Sequence, residues 1–144
     1  MKRLFRLIVG IAALVGFSWT EARACNCDLP LRNLTLKQQV KKAQKQSQAV
    51  FVGKVLQVKP EGFGVSVRFR VENVWKGKLF REVTIFTGQG GGDCGYRFEV
   101  GESYLVYASG SNEILNTNIC QRTAPQSEGG DMKLLGKGKT PARK

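Results

Sequence analysis

The sequence predicts a mainly β domain, a small five-stranded barrel of the OB type with one α-helix near its N-terminus. Apolar and polar side chains alternate along residues 65–72, which is typical of a half-buried strand. Further short β-branched runs lie between turn signals, and a single amphipathic helical pattern precedes all of them. An immunoglobulin-like sandwich would need more strands and would leave the early helix unexplained.

The helical pattern covers residues 36–47. Thr35-Leu36-Lys37-Gln38 has the form of a capping box, with Thr35 as the N-cap and Gln38 reaching back to it. One face of the helix is then formed by Leu36, Val40, Ala43 and Ser47, and the other carries Lys37, Lys41, Lys42 and Lys45. A lysine face of this kind is typical of a solvated helix, and alone it does not indicate a binding site.

The strand pattern follows directly. We predict strands over 50–58, 65–75, 83–87, 103–108 and 114–115. Pro60-Glu61-Gly62 and Lys76-Gly77-Lys78 have the composition of the turns that end the first two strands.

The segment from Gly88 to Gly95 is rich in glycine. Gly90, Gly92 and Gly95 formally fit a dinucleotide-binding fingerprint, but no helical pattern follows them and Cys94 lies inside the segment. We therefore predict a flexible loop in which one stretch of backbone can approach another closely.

Residues 1–24 have the pattern of a secretory signal peptide, with a basic start, an apolar stretch over 7–17, and Ala22 and Ala24 at the cleavage positions. Cleavage after Ala24 would make Cys25 the N-terminal residue of a secreted or periplasmic protein. A lipid-anchored Cys25 is the alternative, but Arg23 stands where lipid attachment needs a small residue. The apolar stretch is too short to span a membrane, and no later segment is long enough.

The chain is strongly basic, with a formal charge of +12. The leader holds four basic residues and one acidic residue, so its removal leaves +9. That charge suits polyanionic glycans or cell-surface polymers, although solubility alone accounts for it, and we expect no nucleic-acid partner.

We expect one domain over 25–125 and a disordered basic tail over 126–144. The tail's candidate polyanion-binding residues are Lys133, Lys137, Lys139, Arg143 and Lys144.

All four cysteines follow the leader, and an even number in an exported protein indicates disulfides. A Cys25–Cys27 bond would close a strained ring, so we expect two long-range bonds, and two pairings remain open. A reduced Cys-x-Cys metal site is the competing interpretation.

The chain contains no histidine, which removes the usual nucleophile partners and the commonest zinc ligand. We expect no enzymatic activity, no cofactor and no metal site of its own.

With these residues in view, residues 25–125 resemble the tissue inhibitors of metalloproteinases (TIMPs) and the wider netrin-type (NTR) modules. The resemblance depends on four motifs: Cys25-Asn26-Cys27, Val50-Phe51-Val52-Gly53-Lys54-Val55, Cys94-Gly95-Tyr96 and Leu115-Asn116-Thr117-Asn118-Ile119-Cys120. It implies Cys25–Cys94 and Cys27–Cys120 disulfides on an OB-type barrel.

The resemblance also implies a function, the inhibition of a zinc metalloproteinase. The α-amine and carbonyl oxygen of Cys25 would chelate the protease zinc, and Asn26 would enter the specificity pocket. The remaining residues of the implied contact ridge are Cys27, Asp28, Leu29, Gly92, Asp93 and Cys94. Asn26 is larger and more polar than the threonine or serine usual there, and a third disulfide and a second domain are missing. The alternative is an NTR-type module that binds polyanions or a protein partner without inhibiting a protease.

Overall fold

In the computed structural model, residues 25, 27, 33–111 and 113–143 are described; the predicted leader lies outside them. Helix α1 spans Leu36–Gln46. The strands are β1 (Ala49–Glu61), β2 (Gly64–Lys76), β3 (Glu82–Gly88), β4 (Ser103–Gly110), β5 (Leu115–Asn116) and β6 (Ala124–Pro125). A 3-10 turn at Gln126–Glu128 and helix α2 (Gly130–Leu135) follow.

The strands form one sheet in which five of them close into a ring. The order is β1-β2-β3-β5-β4, and β4 pairs back onto β1. All of these pairings are antiparallel except the short parallel pairing of β3 with β5. The sixth strand, β6, pairs with β4 outside the ring. The predicted mainly β architecture with a helix on the N-terminal side is confirmed.

Helix α1 begins at the predicted capping box. The Thr35 backbone N–H donates to Gln38 Oε1 at 2.8 Å, and the Gln38 backbone N–H donates to Thr35 Oγ1 at 3.3 Å. At the other end, Lys76 Nζ donates to the carbonyl oxygens of Gln44 and Lys45 at 2.9 and 2.7 Å. A cation there complements the negative end of the helix dipole and satisfies carbonyls that have no partner within the helix.

The first hairpin is longer than predicted. Pro60 does not end β1 but pairs with Val65, and the turn lies at Gly62, whose φ is +58°. Pro60 is tolerated because β4 pairs with β1 only as far as Lys54, so the missing N–H lies on an open edge. The fifth strand is shifted by one residue, to Leu115–Asn116.

The interior of the ring holds the main hydrophobic core. Phe51, Phe69, Phe98 and Tyr104 form consecutive edge-to-face ring contacts, with centroids 4.9–5.6 Å apart. Such contacts add specificity to the burial of large aromatic surfaces. Around them pack the smaller buried side chains of the strands, among them Val55, Val67, Val71, Ile85 and Val106.

A second core lies on the opposite face of β1 and β4. Strand residues alternate between the two faces of a sheet, so Val50, Val52, Leu105 and Tyr107 point away from the ring interior. Ala43 of α1 and Met132 and Leu135 of α2, together with Trp75, pack over these buried residues. The two helices therefore cover this face of the sheet.

The expectation of a disordered tail over 126–144 is wrong for the residues that the structure describes. Val74 and Lys139 exchange two backbone hydrogen bonds of 2.8 and 2.7 Å, and the Ala142 N–H donates to the Leu79 carbonyl at 2.7 Å. Trp75 Nε1 donates to the Gly136 carbonyl at 2.8 Å. The low aromatic content of this segment was a misleading sign of disorder, because backbone hydrogen bonds to Val74 and Leu79 do not depend on apolar side chains. The domain therefore extends to residue 143, beyond the predicted boundary at 125.

Helices long and apolar enough to cross a bilayer are absent from the described part of the chain.

Candidate functional site

Both disulfides implied by the resemblance are present. Cys25 is bonded to Cys94 and Cys27 to Cys120, with Cα–Cα distances of 5.3 and 5.1 Å. The bonds touch each other, since Cys25 Sγ lies 3.6 Å from Cys120 Sγ. They attach two residues of the Cys-x-Cys tripeptide to loops that are 69 and 93 residues away in sequence.

The structure does not support a cysteine metal site. The sulfurs of Cys25, Cys27 and Cys120 lie within 4.8 Å of one another, which is a spacing that a metal ion could use. Each of these sulfurs, however, belongs to a disulfide, and none of the described cysteines is free. Metal coordination by cysteine requires a thiolate, which a disulfide sulfur cannot supply. The three sulfurs lie close together because the two disulfides are in contact.

The loop after β3 is organised around the carboxylate of Asp93. This carboxylate accepts backbone N–H bonds from Gln89, Gly90 and Gly95 at 2.6, 2.9 and 3.0 Å. The bonds from Gly95 and Gln89 contribute most to lowering the pKa of Asp93 below 3.8. At neutral pH the ionised side chain therefore fixes the loop that carries Cys94.

Two glycines that flank this loop, Gly88 at the end of β3 and Gly95, are required by close packing. A Cβ on Gly95 would overlap the carbonyl group of Gly88. A Cβ on Gly88 would lie about 2.5–2.7 Å from the Asp93 carboxylate, closer than real Cβ contacts. The predicted approach of backbone to backbone is confirmed. Cys94, which immediately precedes Gly95, has a φ of +61°. That conformation is uncommon for a residue with a side chain.

The loops that hold the two cysteine partners are also bonded to each other. The Ile119 N–H donates to the Cys94 carbonyl at 3.0 Å. The next residue, Cys120, donates its N–H to Asn118 Oδ1 at 2.9 Å. The Thr117 N–H then donates to the Phe86 carbonyl at 2.9 Å, which ties this strand exit to β3. Both anchors of the tripeptide thus belong to one hydrogen-bonded frame.

The predicted contact ridge is described only in part. Gly92 and Asp93 are exposed, and Cys25, Cys27 and Cys94 are half-buried. Asn26, Asp28 and Leu29 lie outside the described residues. The structure therefore joins Cys25 of the N-terminal tripeptide directly to Cys94, the residue that follows Gly92 and Asp93 in the ridge.

A polar network that sequence reasoning missed lies close to the ridge. Asp131 of α2 accepts bonds from Arg122 Nε and Nη2, both at 2.7 Å, and from the Tyr107 hydroxyl at 3.0 Å. The network lines a groove of about 900 Å³ between α1, β4 and residues 119–131, and Cys27 and Cys120 also line it. The charges of Arg122 and Asp131 are paired with each other, so the network holds α2 in place.

The predicted polyanion-binding residues lie on the ordered C-terminal segment. Lys133, Lys137, Lys139 and Arg143 are all exposed, and Lys144 lies outside the described residues. Lys133 is on α2, and Lys139 is held by its backbone bonds to Val74. The backbone that carries these side chains is therefore part of the folded domain.

No protein-family model matches the chain, and no curated protein matches its sequence.

Proposed function

We propose that this protein is a secreted inhibitor of zinc metalloproteinases in which Cys25 chelates the zinc ion of the protease. The observation that carries the proposal is the attachment of Cys25 and Cys27 to Cys94 and Cys120 by two touching disulfides. Because both of its cysteines are anchored, the tripeptide 25–27 would present its backbone to the protease as a wedge. Removal of the leader after Ala24 would give that wedge a free α-amine.

The ring of strands supports the finer assignment to an OB-type barrel of the netrin class. The order β1-β2-β3-β5-β4, closed by pairing of β4 with β1, fits a small five-stranded barrel. The short β5 leaves part of the ring weakly paired, as in a partly open barrel. Both disulfides then anchor the N-terminus to loops that leave this ring.

The chemistry of inhibition follows from the donors at this terminus. A catalytic zinc site has three protein ligands and a fourth position that water occupies. An α-amine has a pKa of about 7.7–8.0, so a minor fraction of it carries a free lone pair at neutral pH and most of it does above about pH 8. The amine and carbonyl oxygen of one residue can chelate a metal together and displace that water. The cysteine sulfurs cannot compete as ligands, because both are in disulfides.

The surrounding frame supports tight binding because it is organised before the protease arrives. Asp93 fixes its loop through three backbone bonds, and Ile119 joins the two cysteine loops. A wedge ordered in advance loses less conformational entropy on binding than a flexible peptide. Gly92 and Asp93 would contact the protease beside the wedge. Asn26 would enter the specificity pocket, with Asp28 and Leu29 completing the ridge.

A fluorogenic-peptide titration against a panel of zinc endopeptidases tests this proposal. The wild-type protein is compared with a form carrying one extra alanine before Cys25, and a form with one alanine after Lys144 is the control. We expect the N-terminal extension to weaken inhibition at least about a hundredfold, because it removes the chelating amine. The C-terminal extension should have no effect. Equal potency of the two extended forms, or no inhibition by any form, would contradict the proposal.

A further inference from the structure

We propose that the two disulfides form a redox relay, in which reduction of the Cys27–Cys120 bond is passed on to the Cys25–Cys94 bond. The freed Cys120 thiolate attacks Cys25 Sγ, a Cys25–Cys120 bond forms, and Cys94 leaves as a thiolate. The N-terminal segment is thereby detached from the loop that carries Cys94 and attached to the loop that carries Cys120 through Cys25. The inference goes beyond the proposed function, because it concerns exchange between the sulfurs and requires no protease.

The contact between the two disulfides brings the reacting sulfurs together. Cys120 Sγ lies 3.6 Å from Cys25 Sγ, which is a van der Waals contact between two sulfur atoms. Thiol–disulfide exchange proceeds by direct attack of a thiolate on a disulfide sulfur. Because a disulfide bond is about 2.05 Å long, the attacking sulfur has to move by only about 1.5 Å to form the new bond.

The positions of the other two sulfurs favour attack by Cys120 on Cys25 over the opposite direction. A thiolate attacks in line with the bond that breaks, so a 3.6 Å contact and a bond of about 2.05 Å would separate the outer sulfurs by about 5.6 Å. Cys27 Sγ lies within 4.8 Å of Cys25 Sγ, so Cys25 is not in line with the Cys27–Cys120 bond. Cys94 Sγ is not a member of the close cluster of sulfurs, which suits its role as the leaving group.

Exposure determines where a reductant from outside the protein reacts first. Cys120 is exposed, whereas Cys25, Cys27 and Cys94 are half-buried. Access to the attacked sulfur governs the rate of exchange, so a dithiol reductant attacks Cys120 Sγ and releases Cys27 as a thiolate. The second thiol of the reductant then resolves the mixed disulfide, which oxidises the reductant and frees the Cys120 thiolate. The following attack on Cys25 exchanges one protein disulfide for another and requires no further electrons.

The hydrogen bonds around the cysteines hold their loops together when a disulfide opens. The Ile119 N–H donates to the Cys94 carbonyl at 3.0 Å, and the Asp93 carboxylate holds its own loop through three backbone N–H groups. None of these bonds involves a sulfur atom, so they persist after reduction. Reacting groups held in contact have effective concentrations far above that of a dissolved thiol. Exchange within the protein should therefore outpace further attack by the reductant.

Reduction of the folded wild-type protein with one equivalent of dithiothreitol tests the relay. Free thiols are trapped with iodoacetamide, and the molecules that retain one disulfide are mapped by tandem mass spectrometry. We expect a Cys25–Cys120 bond, with Cys27 and Cys94 alkylated, at least about ten times as often as a Cys94–Cys120 bond. The same reduction in concentrated urea is the control and should abolish this preference. If the folded molecules contain only the native Cys25–Cys94 or Cys27–Cys120 bond, the inference is overturned.

Two variants that each retain three cysteines provide a matched pair for the same mapping. Cys27→Ser leaves a free Cys120 thiol beside Cys25, and we expect a Cys25–Cys120 bond alongside the native Cys25–Cys94 bond. Cys25→Ser removes the sulfur that Cys120 attacks, and it should keep the Cys27–Cys120 bond with Cys94 as the only alkylated cysteine. Alkylation of Cys120 alone in the Cys27→Ser protein would overturn the inference. Equal mixtures of disulfide pairings in both variants would also overturn it, because they would show exchange that does not depend on the contact.

Discussion

Replacing Asp131 with alanine should destabilise the whole domain, because this carboxylate attaches α2 to the sheet. It accepts three hydrogen bonds, two from the Arg122 guanidinium at 2.7 Å and one from the Tyr107 hydroxyl at 3.0 Å. The side chains of the ion pair are only 30% and 13% exposed. Asp131→Ala would leave the Arg122 charge without its main partner and the Tyr107 hydroxyl without an acceptor.

The expected loss in free energy of unfolding lies between two limits: the contribution of one hydrogen bond to a charged group and the cost of breaking a fully buried ion pair. Hydrogen bonds to charged groups contribute about 1.5–3 kcal/mol, and breaking a buried pair costs about 3–5 kcal/mol. Partial exposure of Arg122 places Asp131→Ala near the lower range, at about 2–3 kcal/mol. For a domain of this size that corresponds to a fall in Tm of about 6–12 °C.

Urea denaturation followed by circular dichroism measures this loss as a change in midpoint at constant m-value. Glu128→Ala is the matched control, because it removes an exposed negative charge three residues earlier in the chain. The control should change the free energy of unfolding by less than about 0.5 kcal/mol. If Asp131→Ala proves as stable as Glu128→Ala, the Asp131 carboxylate does not attach α2 to the sheet and the reasoning is refuted.

Three further predictions follow from the site. Replacing Cys25 and Cys94 together by alanine should lower the free energy of unfolding by about 2–4 kcal/mol in urea titrations, because it removes a long-range cross-link. Burial and the nearby Asp131 carboxylate raise the pKa of Tyr107 above 10.0. The free energy of unfolding should therefore decline above about pH 10, where only the unfolded tyrosine ionises. Tyr107→Phe should flatten this decline in urea titrations from about pH 9 to 11. Asn26→Thr should strengthen inhibition in the fluorogenic assay, since a smaller, partly apolar side chain enters an apolar pocket at a lower desolvation cost.

Sequence patterns predicted the elements whose determinants are local. The capping box at Thr35 and Gln38 placed the start of α1 correctly, because both partners lie within one helical turn. Alternation placed β2, since Val67, Phe69 and Val71 all point into the core. The glycine-rich segment predicted a close backbone approach, which Gly88 and Gly95 make.

The features that sequence reasoning missed depend on contacts between distant residues. The backbone pairing of Lys139 with Val74 leaves no trace in side-chain periodicity. In the sequence, nothing distinguishes three polar residues that the fold brings into one hydrogen-bonded network: Tyr107, Arg122 and Asp131. The cysteine spacing likewise left two disulfide pairings open, and only the resemblance chose between them. Residues 126–143 were therefore assigned to a tail although they cover part of the core.

The most direct test of zinc chelation uses a zinc endopeptidase whose metal has been replaced by cobalt. The visible absorption of cobalt reports its ligands, so binding of an amine in place of water changes the spectrum. The secreted protein with a free Cys25 amine is predicted to change this spectrum at one equivalent. The same protein, acetylated at that amine, should leave the spectrum unchanged. Identical spectral changes with both forms, or none with either, would contradict chelation by Cys25.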